Sequence, residues 1–305
     1  LSTYRSLLSG STGLNTVVDP VRIEYDWREG ISDLAVAVNV TITQGNRINR
    51  RKGKTLRLSA SGAHSLFCDG GECVFVRDSS LYLLGSDSVS SRLLRSLTSN
   101  AKMSYAQVGN KIYFTNNADL GYVEEGIACT WSKTTDYVGP VTRKSITGPF
   151  AGNHLAFRNG RMYISTDNVL WYSMYLAINW YRLASSFFQF NSHIRMVKPV
   201  KDGLYVSTEK RVYFLHGDTP KSFVRDEVVP YPALEWSDAI GHEDGSSFPD
   251  LGFSGSCALW VTKEGAMVGS PSGIVKNLNR NKVIYPEGTK GVSLVRGLNF
   301  IHTVE

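Results

Sequence analysis

Asn159-Gly160-Arg161-Met162-Tyr163-Ile164, followed by Val169-Leu170-Trp171-Tyr172, has the outline of a β-hairpin. A turn pair opens it, a short run of aromatic and aliphatic residues follows, and a polar break separates that run from a second one. The same outline stands at Gly71-Glu72-Cys73-Val74-Phe75-Val76 with Ser80-Leu81-Tyr82-Leu83-Leu84. It recurs at Gly109-Asn110-Lys111-Ile112-Tyr113-Phe114 with Leu120-Gly121-Tyr122-Val123, and at Asp202-Gly203-Leu204-Tyr205-Val206 with Arg211-Val212-Tyr213-Phe214-Leu215. Ser256-Cys257-Ala258-Leu259-Trp260-Val261 with Ala266-Met267-Val268 is a degenerate copy. The leading glycines, at 71, 109, 160, 203 and 255, are roughly 40 to 50 residues apart, the length of one four-stranded blade. That period predicts an all-β propeller.

Between the hairpins lie further strands, Ala63–Phe67, Met103–Ala106, His154–Phe157 and Ile194–Val197, read as the outer strands of their blades. The C-terminal run Val292–His302 alternates in the same way but ends before a blade is complete, leaving a strand edge unpaired. The strands of residues 34–58 are the material at hand to complete it. The expectation is therefore six blades, the last closed by N-terminal strands, with seven if residues 219–249 hide strands. Residues 1–33 read as an N-terminal arm and 34–305 as a single propeller domain. Residues 219–249, with four of the ten prolines, read as an irregular inserted loop. Trp171–Phe188 lacks Gly and Pro and reads equally as a helix or as a strand with a long loop.

The 305 residues, 42% apolar and 20% charged, form an ordinary globular composition. Fifteen tyrosines, thirteen phenylalanines and six tryptophans favour strands over helices. No stretch is long and apolar enough to cross a bilayer as a helix, and Leu1–Ser6 does not read as a signal peptide. Cys68 and Cys73 flank a turn and are placed to meet across a hairpin, yet without a secretion signal the four cysteines are read as reduced thiols. Six scattered histidines give no metal motif, and neither a metal nor another cofactor is expected.

Net charge is +6, and its distribution matters more than its size. Arg47, Arg50, Arg51, Lys52, Lys54 and Arg57 place six cations in eleven residues without an acid among them. A sparser set, Lys276, Arg280, Lys282, Lys290 and Arg296, is opposed only by Glu287. The first cluster fits three roles: a solvated guarded edge, a contact with nucleic acid, or a contact with an acidic neighbouring subunit. Catalytic patterns are weak. Ser165-Thr166-Asp167-Asn168-Val169-Leu170-Trp171 approximates the Asp-box of sialidase-type propellers, with its glycine replaced and the spacing to Trp one short. The adjacent acids Glu124-Glu125 and Glu243-Asp244 face opposite sides if on a strand, so neither pair can share a substrate. The chain is read as no enzyme, with no small-molecule substrate.

One stretch carries a resemblance. It runs through Gly13-Leu14-Asn15, Gly30-Ile31-Ser32-Asp33-Leu34-Ala35 and Asn39-Val40-Thr41-Ile42-Thr43-Gln44-Gly45-Asn46-Arg47-Ile48-Asn49-Arg50-Arg51-Lys52-Gly53. An Asn-Val dipeptide, a short strand, a Gly turn and Arg-Arg-x-Gly in that order resemble the N-terminal signature of bacteriophage tail proteins. The hairpins from Gly62-Ala63-His64-Ser65-Leu66-Phe67 onward resemble the repeat region of the same group, the nozzle or tail-hub proteins of short-tailed phages, also called tail tubular protein B or DNA-stabilisation proteins. The resemblance is best over residues 13–84. It implies a virion structural protein, assembled in the host cytoplasm into a hexameric ring below the portal and adaptor. In such a ring it retains packaged double-stranded DNA and forms the conduit for its ejection, with the basic strand facing DNA or the next subunit. The chain is shorter than typical members, so their platform and tip domains are not expected in it, and a compact propeller decorating the tail or baseplate is the other form. A carbohydrate- or receptor-binding tail module is the alternative function, motivated by aromatics in 171–190 and 219–249.

Overall fold

The structure, a computed structural model, describes residues 10–26, 28, 30–43, 45–69, 71–133, 146–241, 255–279, 282–285, 287–296 and 299–305. Among the described residues, five antiparallel blades follow one another along the chain. Blade 1 is His64–Asp69, Glu72–Arg77, Ser80–Leu84 and Ser91–Ser96; blade 2 is Ser104–Val108, Lys111–Thr115, Leu120–Glu124 and Ile127–Cys129. Blade 3 is His154–Arg158, Arg161–Thr166 and Val169–Met174, the last pairing with both Ala177–Tyr181 and Phe187–Gln189. Blade 4 is Ile194–Pro199, Gly203–Thr208, Val212–His216 and Val224–Val229; blade 5 is Ala239–Gly241, Cys257–Thr262, Gly265–Gly269 and Val275–Asn277. The chain is a β-propeller, as its repeat predicts.

The repeat works through register. In every blade one bulky residue of the second strand faces a partner on the third: Phe75 faces Tyr82, Tyr113 faces Tyr122, Tyr163 faces Tyr172, Tyr205 faces Phe214, and Trp260 faces Met267. In blades 1 to 4 the paired rings stack or tilt together, at 4.8 Å between centroids for Tyr205 and Phe214. The turns hold this register. Asn159 and Gly160 both adopt left-handed φ, +46° and +69°, between directly paired Arg158 and Arg161, the two-residue turn whose twist matches the strands.

Strand alternation then sends neighbouring residues to opposite blades. Leu204 and Val206 pack with Ala156 and Tyr163 of blade 3, while Tyr205 between them packs with Ala258, Trp260 and Met267 of blade 5. Equivalent clusters join blades 1 and 2 around Val74, Val76, Ile112 and Phe114, and blades 2 and 3 around Tyr113, Leu155, Met162 and Ile164. The core is thus a set of layers between sheets. Half-buried serine side chains pin the blades together: Ser65 and Ser104 each accept from the backbone at the next blade, Met103 N and Leu155 N, at 2.9 Å. Asp119, 5% exposed, accepts from Thr98 N, Ser99 N and Asn116 Nδ2. Burial alone would raise the Asp119 pKa, but these donors outweigh it and hold the carboxyl below its ordinary value.

Several expectations need correction. The strands that open each blade are inner, not outer: those of blades 2, 3 and 4 lean on one another. Residues 219–249 are not simply irregular, since they hold Val224–Val229 of blade 4 and Ala239–Gly241 of blade 5. Trp171–Phe188 is strand and turn, because its aromatics pair across blade 3. Cys68 and Cys73 are disulfide-bonded, not reduced as expected: they are directly opposed in the hairpin register with Cα atoms 4.1 Å apart. Cys129 and Cys257 are free.

The sixth position differs most from expectation. The C-terminal hairpin Gly291–Arg296 and Asn299–Val304 stacks on blade 5, placing Val295 and Phe300 against Cys257, Leu259 and Val268. Val292 and Leu294 on its other side are about half exposed. Val40–Ile42 and Ile48–Arg50 pair with each other and not with this hairpin, and residues 51–60 form no strand. A blade strand is buried on both faces, and a segment carrying Arg50, Arg51, Lys52, Lys54 and Arg57 has too little apolar surface for that. The N-terminal region nevertheless reaches the C-terminal end of the chain. Gly10–Leu14 pairs in parallel with Ile31–Leu34, which also pairs with Tyr25–Asp26. Thr16 N donates to Lys282 O at 2.8 Å, Ile284 N to Thr16 Oγ1 at 2.9 Å, and Lys282 Nζ meets Asp33 Oδ1 at 2.8 Å.

Candidate polyanion-contact surface

The basic cluster is presented by a hairpin and the segment that leaves it. Val40, Thr41 and Ile42 face Arg50, Asn49 and Ile48. The turn is closed by Asn46 N to Thr43 O and Thr43 N to Arg47 O, both 2.9 Å, with Asn46 at φ +59°. Arg47 N also donates to Thr43 Oγ1, and Arg51 N donates to Asn39 O at 2.7 Å. Beyond Arg51 the chain runs without regular structure to residue 60. Alternation puts Arg47 and Arg51 on one face of the hairpin and Arg50 on the other. Arg50, Arg51, Lys52 and Lys54 line a shallow concavity of about 580 Å³ with Asn39 and Gly53.

Arg47, Arg50, Arg51, Lys52, Lys54 and Arg57 are all exposed, and none makes an ion pair among the described residues. Some other surface cations do have acidic partners: Lys111 pairs with Glu124 at 3.0 Å, and Arg211 with Glu227. The hairpin is anchored through the N-terminal sheet, since Ser11 N donates to Asn46 O at 2.7 Å. That sheet is latched in turn by Asp33. Burial would raise the Asp33 pKa, but hydrogen bonds from Lys282, Thr12 and Asn15 outweigh it and hold the carboxyl below its ordinary value.

The remaining sequence candidates separate. In the second basic set, Lys282 serves the latch, and Arg280 lies outside the described residues. The Asp-box-like turn is structural. Asp167, at φ +49°, accepts from Ile194 N through its carbonyl and meets His193 Nδ1 at 3.2 Å, while Trp171 Nε1 donates to Thr166 Oγ1. Glu124 bridges Lys111, Glu125 sits in a turn, and Glu243-Asp244 lies outside the described residues. The aromatics that suggested sugar stacking are mostly engaged: Trp180, Tyr181 and Phe190 are buried, Phe223 stacks on Phe188, and Trp236 packs on His154 at 4.8 Å. Tyr175 and Phe187 remain exposed. No group of three or more potential metal-ligating side chains occurs among the described residues.

Sequence reasoning missed the latch, whose Asp33 and Lys282 are far apart in the chain and belong to no local pattern.

No protein-family profile and no curated protein sequence matches the chain. Among solved structures it is similar to BBS1N in complex with ARL6DN, at TM-score 0.50 and 10% identity over 80% of this chain and 75% of that one. Two weaker likenesses carry no argument. One is the WD40 β-propeller domain of Doa1, at TM-score 0.42 and 10% identity over 69% of this chain and 66% of that one. The other is an auxiliary nutrient binding protein from Bacteroides thetaiotaomicron, at TM-score 0.46 and 10% identity over 71% of this chain; here the chain spans 57% of the other protein's length. At such identities the likeness concerns the fold alone.

Proposed function

We propose that this chain is a non-enzymatic assembly propeller whose basic hairpin and arm contact a polyanion. Double-stranded DNA is the polyanion that its resemblance to short-tailed-phage tail proteins calls for. On this reading it is a structural component of the virion tail, of the nozzle or tail-hub type. It assembles as a homo-oligomer, in a hexameric ring in the fullest form of the proposal, next to the portal, adaptor and other tail proteins.

The observation that carries the proposal is the set of six exposed cations without acidic partners among the described residues, on an anchored hairpin and the irregular arm that follows it. A solvated edge would need only scattered charges. Concentrating like charges costs self-repulsion, which an anionic partner relieves. Phosphate neutralisation releases counterions and needs no base-specific geometry, which suits flexible Arg and Lys side chains. The test is double-stranded DNA binding as a function of salt, together with electron microscopy of purified particles. A chain that binds DNA independently of salt, or that is absent from virions, refutes the corresponding half of the proposal.

A further inference from the structure

A second concavity, of about 590 Å³, lies among the turns of blades 3, 4 and 5, on residues other than the basic arm. Arg158, Lys201, Asp202, Phe214, His216 and Asp218 are among its lining residues. Its volume is in the range of small-molecule sites. Its distinguishing feature is Arg158, the last residue of the first strand of blade 3, which is only 8% exposed. Nε donates to Val200 O at 3.1 Å and Lys201 O at 3.3 Å, and Nη2 to Lys201 O at 3.0 Å. These bonds fix the plane of the guanidinium, which is also hydrogen-bonded to Tyr163 and has the Phe223 ring centroid 5.8 Å away.

Buried arginines are ordinarily paired with an acid, yet no carboxylate lies within ion-pair distance of Arg158 among the described residues. Burial pulls its pKa below the ordinary value, opposed by Tyr163 and by Asp202 from beyond ion-pair range. Lys201 at the rim likewise has no acidic partner among the described residues. His216 is already engaged with Asp226 at 2.8 Å, and its ring lies parallel to Phe214 with centroids 5.5 Å apart, giving the concavity a flat wall. Asp202 and Asp218 in the same lining disfavour a dianion.

The geometry points to a binding site for a small organic monocarboxylate. Its carboxylate is received by Arg158 and Lys201, and its body lies along the His216 ring. Arg forks match carboxylates in shape as well as charge, and Asp202 and Asp218 weigh against the second charge of a phosphate dianion. The carboxylate can belong to a free acid or to the C-terminus of a short peptide, and the experiment separates the two.

The intact chain is titrated calorimetrically with benzoate, with neutral benzamide, with inorganic phosphate, and with one tripeptide bearing a free or an amidated C-terminus. Benzoate should bind and benzamide and phosphate should not. Lys201→Gln, at an exposed position, should weaken benzoate about tenfold, the loss of one charge-assisted hydrogen bond. Arg158→Gln should abolish binding, its folding checked by thermal melting. A free-terminus tripeptide that binds more tightly than benzoate identifies a peptide source, and one that binds more weakly identifies a free acid. Equal binding of benzoate and benzamide, absence of benzoate binding, or indifference of benzoate to Lys201→Gln overturns the assignment.

Discussion

Replacing Arg47, Arg50 and Arg51 together by glutamine removes half of the cationic cluster and leaves Lys52, Lys54 and Arg57 in place. All six side chains are exposed and make no ion pair among the described residues, so the fold should melt as the parent does. From Arg47 to Arg57 the backbone spans at most ~33 Å if extended, at ~3.3 Å per residue. Duplex DNA carries a phosphate every ~3.4 Å along each strand, so that length faces about ten phosphates, enough for six contacts. Six neutralised phosphates predict a slope of log K against log salt of about −5.4, and three predict about −2.7. Between ~50 and ~200 mM salt the parent should lose about two-thousandfold in affinity, and the variant only about fortyfold. Fluorescence anisotropy of a labelled duplex at four or more salt concentrations measures both slopes, and sedimentation velocity on the same samples measures assembly. Equal slopes for parent and variant would refute the reasoning. If DNA binding is unchanged while assembly is lost, the arm is an interface between subunits.

Other expectations concern the scaffold. Gly269→Ala would place a methyl 2.5 Å from Tyr205 Cζ in the layer between blades 4 and 5, where the ring is fully buried and its hydroxyl donates to Ser270 O. It should cost about 1–3 kcal/mol of overpacking, seen by calorimetry as a lower Tm, whereas Gly45→Ala meets nothing within 4 Å and should leave Tm unchanged. Reducing the Cys68–Cys73 disulfide, or replacing both cysteines by serine, should destabilise by no more than about 2 kcal/mol, because the loop it closes is short; a larger loss of stability on reduction would refute this. His154 has its pKa pulled down to about 4 by burial, partly offset by Asp238. Above pH ~6.5 it is neutral folded or unfolded; below that the unfolded chain takes up a proton that the folded one refuses. Stability should therefore fall as pH drops from about 6.5 towards 4, by up to about 3 kcal/mol, with His302 acting in the same direction. A His154→Gln variant whose pH–stability curve is as steep as the parent's between those limits would exclude this account.

What the sequence disclosed follows from which forces are local. The hairpins were legible because turn chemistry and strand alternation act within about a dozen residues, as Asn159-Gly160 and the facing pair Tyr163 and Tyr172 demonstrate. Their fixed spacing also revealed the blades, since each blade needs the next to cover its apolar face. Whether a strand is inner or outer is set by contacts between blades, such as Leu155 N to Ser104 Oγ, and alternation along one strand carries no record of that. Sequence proximity to the first blade did not make residues 34–58 the missing strands of the sixth position. The chain's two ends meet through Thr16, Asp33, Lys282 and Ile284, a polar latch that apolar periodicity does not encode.

For the candidate surface the balance is reversed. A run of six cations without an acid is visible in any reading of residues 47–57, but its availability depends on what surrounds it. Lys282 shows the difference: it belongs to the second, sparser basic stretch, and its charge is engaged by Asp33. Arg158 makes the same point from the inside of the molecule. Nothing in Phe157-Arg158-Asn159 marks it as a site, because its significance comes from burial, two carbonyl partners in the next blade and the missing acid. Charge density can therefore be read from the chain, while free charge can be read only from the fold. On that ground the arm and the concavity beside Arg158 are the two anion sites proposed for this propeller.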